Sequence, residues 1–418
     1  MNKTIFHIDV NSAFLSWSTA SLMKKGETLD LRTVPSAIGG DSNSRRGIIL
    51  AKSIPAKNFG VVTGEPMVSA LKKCPSLIII QPDFQLYSSC SNKLFNLLAN
   101  YSDRLEIFSI DECFLDYTGM EKLFGAPEEA AYKIKERIKT ELGFTVNIGI
   151  GPNKLLAKMA GELEKPDKVI SIYHHEIEEK LWPLPVGELF MVGRSTAPHL
   201  NRLGIYTVGQ LANYDYAILE REFKSYAQTL KNYANGIADE IIAPFGHKHT
   251  YKSISNSTTT PKDVFKKEDA HKVLLALCEN VGKRLRYHGQ FTNSISVTVK
   301  TNEFKVYSHQ KQLNGSTDCT NTIYCTATNI FDAMWKKEPL RHLGVSADKL
   351  TNDCFYQLSF TEENRDKQRK AEATIDTINK KFGSASIKRC ILMNNEIRVA
   401  KGSTFSKDKS NFQHTDKV

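Results

Sequence analysis

LEIFSIDECFLDYT, residues 105–118, is an apolar strand-like run that meets an acid pair, Asp111-Glu112, and then continues apolar. Successive side chains of a straight strand point to opposite faces. Asp111 and Glu112 therefore share one site only if the chain turns there. The pattern predicts a β-hairpin whose tip presents both carboxylates, with Cys113–Tyr117 as the returning strand. A second stretch, FHIDVNSAF at 6–14, ends the same way, with Asp9 following Thr4-Ile5-Phe6-His7-Ile8. Charge beside a buried strand is costly unless it is paired or holds a metal. Either cluster alone reads as strand-end acids facing water. Together they suggest two distant segments converging on one cation site.

Working outward, 418 residues exceed what one core organises, so two to four domains are expected. With 41% hydrophobic and 24% charged residues the composition is that of a soluble globular protein. It contains no apolar run of about 18 residues, which excludes a helical membrane span. Met1-Asn2-Lys3, running straight into a strand, is not read as a signal peptide. Cysteines at 74, 90, 113, 278, 319, 325, 354 and 390 have neither CxxC nor zinc spacing and read as reduced thiols of a cytoplasmic protein. A formal charge of +10 favours a polyanionic partner, and with no apolar run to span one, no membrane is expected.

Residues 1–20 read as a strand and a helical start, and 21–77 as short mixed elements. The latter include the turn-rich Gly39-Gly40-Asp41-Ser42-Asn43-Ser44 and a buried strand, 47–51. Leu86, Cys90, Leu94, Leu97 and Leu98 recur at helical spacing over 84–101. A helix at 127–141 and a strand at 144–150 precede a helix that opens at Gly151-Pro152-Asn153 and closes before Lys165-Pro166. Residues 171–235 read as helical and contain VGRSTAPHLNRLGIYTVGQLA, 192–212, with turns at Gly193 and Gly204. This resembles a helix-hairpin-helix, whose backbone N–H groups hold a DNA phosphate; the alternative is an unrelated helical hairpin. After a linker at 236–250 the order becomes strand, helix, strand, strand, helix, strand over 252–348. Such an order makes a self-contained two-layer domain. Its basic residues, Lys283, Arg284 and Lys300 among them, suggest a surface that tracks phosphates. The Lys/Glu-rich stretch and Ser/Lys-rich end over 351–418 are expected to be a flexible tail.

Asp9, Asp111 and Glu112 suit two Mg²⁺ ions, which take few carboxylates and leave room for water and substrate phosphates. Ions roughly 3.5–4 Å apart would stabilise both oxygens of a phosphoryl transfer. Lys57 and Lys165 are candidates to neutralise a triphosphate. Residue types alone equally describe a nuclease or a cyclase.

The order of motifs closely resembles the Y-family lesion-bypass DNA polymerases of the polymerase IV and polymerase V class. The likeness runs from FHIDVNSAF through RRGIILAKSIPAKNFGV (45–61), SIDECFLD (109–116), GIGPNKLLAKMAGELEKP (149–166) and the hairpin stretch to HLGVS (342–346). It implies an α+β right-hand core with palm (1–20 and 78–170), fingers (21–77) and helical thumb (171–235), plus a little finger (251–350). The implied activity is low-fidelity, template-directed addition of dNTPs to a primer 3′-OH, without proofreading, in DNA repair and damage tolerance. Carried over by motif, Asp9, Asp111, Glu112 and the Val10 carbonyl hold two Mg²⁺ ions, for which Mn²⁺ can substitute. Phe14 is the aromatic steric gate against a ribose 2′-OH, and Lys165 and Lys57 contact the triphosphate. Primer-template DNA and dNTPs are the implied partners, the chain acting as a monomer. Gln357, Leu358 and Phe360 resemble a sliding-clamp peptide short by one residue.

Two departures stand out. The family's Tyr-x-Ala-Arg is here Ile54-Pro55-Ala56-Lys57, which removes a hydroxyl donor and turns a planar fork into a point charge. Asn11 stands where polymerase IV types carry aspartate, so the subclass is open between polymerase IV and polymerase V. The rival to an active polymerase is a DNA-binding protein that kept the scaffold and lost turnover.

Overall fold

Strand β1 (Ile5–Val10) is the centre of the molecule's principal sheet, and its alternation explains why. Phe6, Ile8 and Val10 point to one face and are buried, while His7 and Asp9 point to the other. The computed structural model describes residues 3–40, 47–239, 241–247, 251–352, 365–383 and 386–393. These fall into two compact units that divide near residue 250.

In chain order the first unit contains β1, α1 (Ala13–Lys24), β2 (Ser36–Gly39), β3 (Ile49–Lys52), α2 (Ile54–Asn58), α3 (Met67–Lys73) and β4 (Ile78–Ile80). Then follow α4 (Phe84–Leu98), β5 (Leu105–Ile107), β6 (Glu112–Asp116), α5 (Glu121–Phe124), α6 (Pro127–Leu142), β7 (Val146–Gly151), α7 (Lys154–Leu163) and β8 (Val169–Ser171). Helices α8 (Thr196–Arg202), α9 (Val208–Asn213), α10 (Tyr216–Phe223) and α11 (Tyr226–Ala234) complete it.

The five-stranded sheet has the order β5-β6-β1-β7-β8. Its apolar face, with Phe6, Ile8, Cys113, Leu115, Ile148 and Ile150, packs under α4 and α6 through Leu94, Leu98, Ile134 and Ile138. The opposite face receives α7. Two glycines allow that close approach: a Cβ at Gly149 would lie 2.0 Å from the Ala157 carbonyl oxygen and 2.3 Å from the Gly161 nitrogen. Asn153 caps α7 by accepting from the Leu156 N–H at 2.9 Å. A second, three-stranded sheet, β3-β2-β4, lies beside α1, and the Ser12 hydroxyl ties the two regions by donating to the Lys52 carbonyl at 3.1 Å.

The second unit runs β9 (Ser253–Val264), α12 (Lys267–His288), β10 (Phe291–Thr301), β11 (Val306–Thr317), α13 (Thr320–Met334), β12 (Leu340–Thr351) and α14 (Arg365–Phe382). Its antiparallel sheet, ordered β11-β10-β12-β9, buries Ile295, Val297, Val299, Leu343 and Val345 against α12 and α13. The α+β class follows from both units.

One expectation is corrected. The flexible tail over 351–418 fails at α14, which docks on its own unit. The Arg286 guanidinium pairs with Glu372 at 2.5 Å and Asp376 at 2.7 Å, and the Thr320 N–H donates to Glu372 at 3.0 Å. Composition reads as solvated, but acids four apart share a helix face and here find a partner. Residues 353–364 and 394–418, including the clamp-like Gln357, Leu358 and Phe360, lie outside the described residues. Among the described residues no helix is long and apolar enough to cross a membrane.

Candidate active site

The 105–116 hairpin closes through hydrogen bonds from the Phe108 and Ser109 N–H groups to the Glu112 carbonyl, both 3.0 Å. Asp111 stands at its tip and Glu112 is the first residue of β6. Register places Glu112 directly opposite Asp9 on β1, so the two carboxylates share the face that receives α7. The Val10 N–H donates to the Asp111 carbonyl at 3.1 Å, which brings the third acid to the same strand end.

Helix α7 and the segment after it bring two ammoniums to these acids. Lys158 Nζ donates to Glu112 Oε2 at 2.6 Å, and the same oxygen lies 2.9 Å from the fully buried His7 Nε2. The Lys158 ammonium is also flanked by the rings of Phe108 and Phe190, at 5.4 and 5.6 Å. Burial opposes ionisation of Glu112, but the hydrogen bonds from His7 and Lys158 outweigh it and hold the carboxyl at about 2. Lys165 Nζ donates to Asp9 Oδ2 at 2.7 Å and to Glu162 at 2.9 Å. Burial disfavours the Lys165 ammonium, yet the charge and hydrogen bond of Asp9 raise its pKa overall. Asp111 is pushed up, chiefly by burial; the Ser109 hydrogen bond opposes this and the charges of Asp9 and Glu112 add to it.

That crowding of negative charge is what a cation would relieve, and three carboxylates with a backbone carbonyl are hard oxygen donors of the kind Mg²⁺ takes. Among the described residues no three acids, histidines or cysteines are gathered closely enough to hold a metal ion; Asp9 is paired with Lys165, and Glu112 Oε2 with Lys158. The donor set therefore fits the ions if Lys165 is displaced from Asp9.

A cavity of about 540 Å³ opens beside these groups. Asp9, Val10, Asp111 and Lys165 line one side, Lys52, Ile54 and Lys57 another, and Phe14 also lines it. Phe14, in the first turn of α1, stacks on Tyr87 with centroids 4.5 Å apart and planes 8° apart. Tyr87 is itself fully buried and shares a hydrogen bond with Ser18 at 3.0 Å. Thus Asp9, Val10, Phe14, Lys57, Asp111 and Lys165 meet around one cavity. Glu112 sits next to Asp9 but does not line it.

The other candidates lie elsewhere. Gly193 precedes α8, and Gly204, at φ +81°, makes the turn between α8 and α9 that an L side chain would strain. Thr207 and Gln210 cap α9 reciprocally. In the second unit the basic helix α12 proves partly committed: Lys267 pairs with Asp332, Lys272 with Asp269, and Arg286 with α14. Arg284 donates to the Ser255 carbonyl at 2.8 Å, while Lys283 is exposed. Lys300 shares the sheet face away from α12 and α13 with Ser296 and Thr298, and its ammonium lies 4.7 Å from the Phe304 ring centroid. Sequence reasoning missed His7, Lys158, Lys52 and Tyr87. His7 had a signal, a polar residue two before Asp9 and hence on its face.

Two family models match this chain. The impB/mucB/samB family covers residues 8–162, and the impB/mucB/samB family C-terminal domain covers 251–360. A DNA polymerase IV of Clostridium acetobutylicum is 48% identical over 95% of this chain and all of its own length. One from Acetivibrio thermocellus is 35% identical over 94% of this chain and 98% of its own. DNA polymerase IV 1 of Bacillus subtilis is 33% identical over 97% of both chains. Among solved structures, a Y-family DNA polymerase chimera aligns with a TM-score of 0.70 at 24% identity, covering 83% of this chain and 98% of its own.

Proposed function

The chain belongs to the impB/mucB/samB family of Y-family DNA polymerases, and on that premise we propose that it extends primers as a template-directed, translesion DNA polymerase. The observation that carries this reading is the pairing of Asp9 with Glu112 across β1 and β6. Asp111 stands beside them at the edge of a cavity that also presents ammoniums. Asp9, Asp111, Glu112 and the Val10 carbonyl would hold two Mg²⁺ ions, or Mn²⁺ in their place. The ions would neutralise the incoming triphosphate and favour ionisation of the primer 3′-OH.

The chain's own groups do the positioning. With the carboxylates holding ions, Lys165 would be free of Asp9 to contact the triphosphate, and Lys57 would contact the phosphates from the fingers. Phe14 stands against C2′ of the sugar. Nucleotidyl transfer needs little covalent work from the protein beyond such placement and charge neutralisation. By residue range, 1–20 and 78–170 act as palm, 21–77 as fingers, 171–235 as thumb and 251–350 as little finger, with 236–250 linking them. The turns at Gly193 and Gly204 bring neighbouring backbone N–H groups to a DNA phosphate, the Gly204 N–H itself being held by the Asn201 carbonyl at 3.0 Å, and Lys283, Arg284 and Lys300 track the duplex. The protein acts as a monomer in the cytoplasm, in DNA damage tolerance. Gln357, Leu358 and Phe360 dock on the replicative sliding clamp; alanine at all three should abolish clamp-stimulated synthesis and leave clamp-free synthesis unchanged.

Primer extension with Mg²⁺ past a panel of defined template lesions tests the main reading. Product growth past lesions is the expected result. Binding without extension would instead identify a non-catalytic DNA-binding protein, and shortening of the primer a nuclease.

A further inference from the structure

The wall of the cavity formed by β3 and α2 carries a second cation beside Lys57. Lys52 ends β3, lines the same cavity as Lys57, Asp9 and Lys165, and is held in place at its carbonyl by the Ser12 hydroxyl. Among the described residues its side chain has one polar partner, the Thr63 hydroxyl at 3.1 Å. Glu65, an acid whose field it feels, is already paired with Lys73 at 2.7 Å. Lys165, by contrast, is paired twice with carboxylates.

We propose that Lys52 is a second triphosphate-binding residue, acting with Lys57 to supply from two ammoniums the contacts that the Ile54-Pro55-Ala56-Lys57 segment lacks. The inference rests on the polymerase reading above. Ile54 offers no donor where the family has a tyrosine hydroxyl, and Lys57 offers one point charge instead of a guanidinium fork. Two lysines five residues apart, one closing a strand and one on the helix that follows, reach the cavity from separate backbone positions. Partial burial, followed by the like charge of Lys57, makes the Lys52 ammonium harder to keep protonated than an ordinary lysine. A polyanion bridging the two relieves that repulsion, whereas a neutral ligand leaves it in place.

The test measures KM and kcat for dCTP opposite template G, and the inhibition constant of inorganic tripolyphosphate. The full-length parent is compared with Lys52→Ala, Lys52→Arg, Lys57→Arg, the Lys52→Ala/Lys57→Arg double variant, and Lys72→Ala, a control at an exposed lysine of α3. Loss of one charge-assisted contact corresponds to roughly 10- to 100-fold. Lys52→Ala should raise both KM and the tripolyphosphate constant by that factor with kcat within about twofold, and Lys52→Arg should restore both. Lys57→Arg should shrink the Lys52→Ala defect, because a fork at 57 replaces the missing donor. Unchanged constants in a Lys52→Ala protein that still extends primers would overturn the proposal. So would an equal rise in Lys72→Ala, which would reveal only a general field, or a fall in kcat and melting temperature without a KM effect. A parent that never extends primers sinks the polymerase reading itself and is thereby distinguishable.

Discussion

Replacing Phe14 by alanine should convert this protein from a deoxynucleotide-selective to a ribonucleotide-tolerant polymerase, and the packing behind the ring sets the size of the effect. Phe14 is pressed flat on Tyr87, with Phe84 edge-on at 6.2 Å and Trp17 at 6.0 Å. Tyr87 cannot retreat, being fully buried and hydrogen-bonded to Ser18. A 2′-hydroxyl placed against such a ring meets a wall, and forcing extra atoms into a packed site costs about 1–3 kcal/mol. At 1.36 kcal/mol per decade, discrimination from this one clash is roughly 10- to 100-fold. Phe14→Ala should raise the CTP/dCTP ratio of kcat/KM opposite template G by that factor, while dCTP use falls modestly. Because Phe14 is only half-buried, the loss of stability should be about 2 kcal/mol, below the range for a fully buried phenylalanine. Tyr87→Leu keeps the gate but removes its stacked support, so its ratio should shift in the same direction by less. An unchanged ratio in Phe14→Ala, or equal losses on both nucleotides together with a collapsed melting temperature, would refute the reasoning.

Asp111→Ala should abolish primer extension while DNA affinity stays nearly intact; retention of more than a few per cent of activity would remove Asp111 from the site. Lys158→Met leaves Glu112 Oε2 with His7 alone, so the Mg²⁺ concentration at half-maximal activity should rise roughly 10- to 100-fold, and an unmoved midpoint would show that Lys158 does not position the acid. Alanine at Lys283 and Lys300 should each flatten the slope of log affinity against log salt by about 0.9 per lost phosphate contact; an unaltered slope would put the DNA surface elsewhere. Arg286→Ala removes the partner of Glu372 and Asp376, a loss of about 3–5 kcal/mol for a buried pair. Since α14 has undocking as an alternative, the expected readout is lost hydrogen-exchange protection over 365–382, the rest of the second unit holding.

Much of this protein is written in local pattern. The alternation of Phe6, Ile8 and Val10 with His7 and Asp9 determines which face of β1 is apolar. The turn that Asp111-Glu112 requires produces the hairpin, and Asn153 and Lys165-Pro166 bracket α7. These features follow from strand and helix periods and from capping, which act within a few residues of chain. The opposition of Asp9 to Glu112 was foreseeable only as two strand-end acids that needed each other. What tertiary structure alone decided is which distant groups answer them. Lys158 reaches Glu112 because Gly149 and Gly161 let α7 settle on β7, and no local preference encodes that pairing. Lys52 becomes a cavity residue only when β3 is brought against α1 through Ser12. The acids of α14 have the composition of a solvated tail until Arg286, 86 positions earlier than Glu372, receives them. Propensity and periodicity act along the chain, whereas charge pairing and close packing act across space, so the elements were legible in sequence and their partners were not.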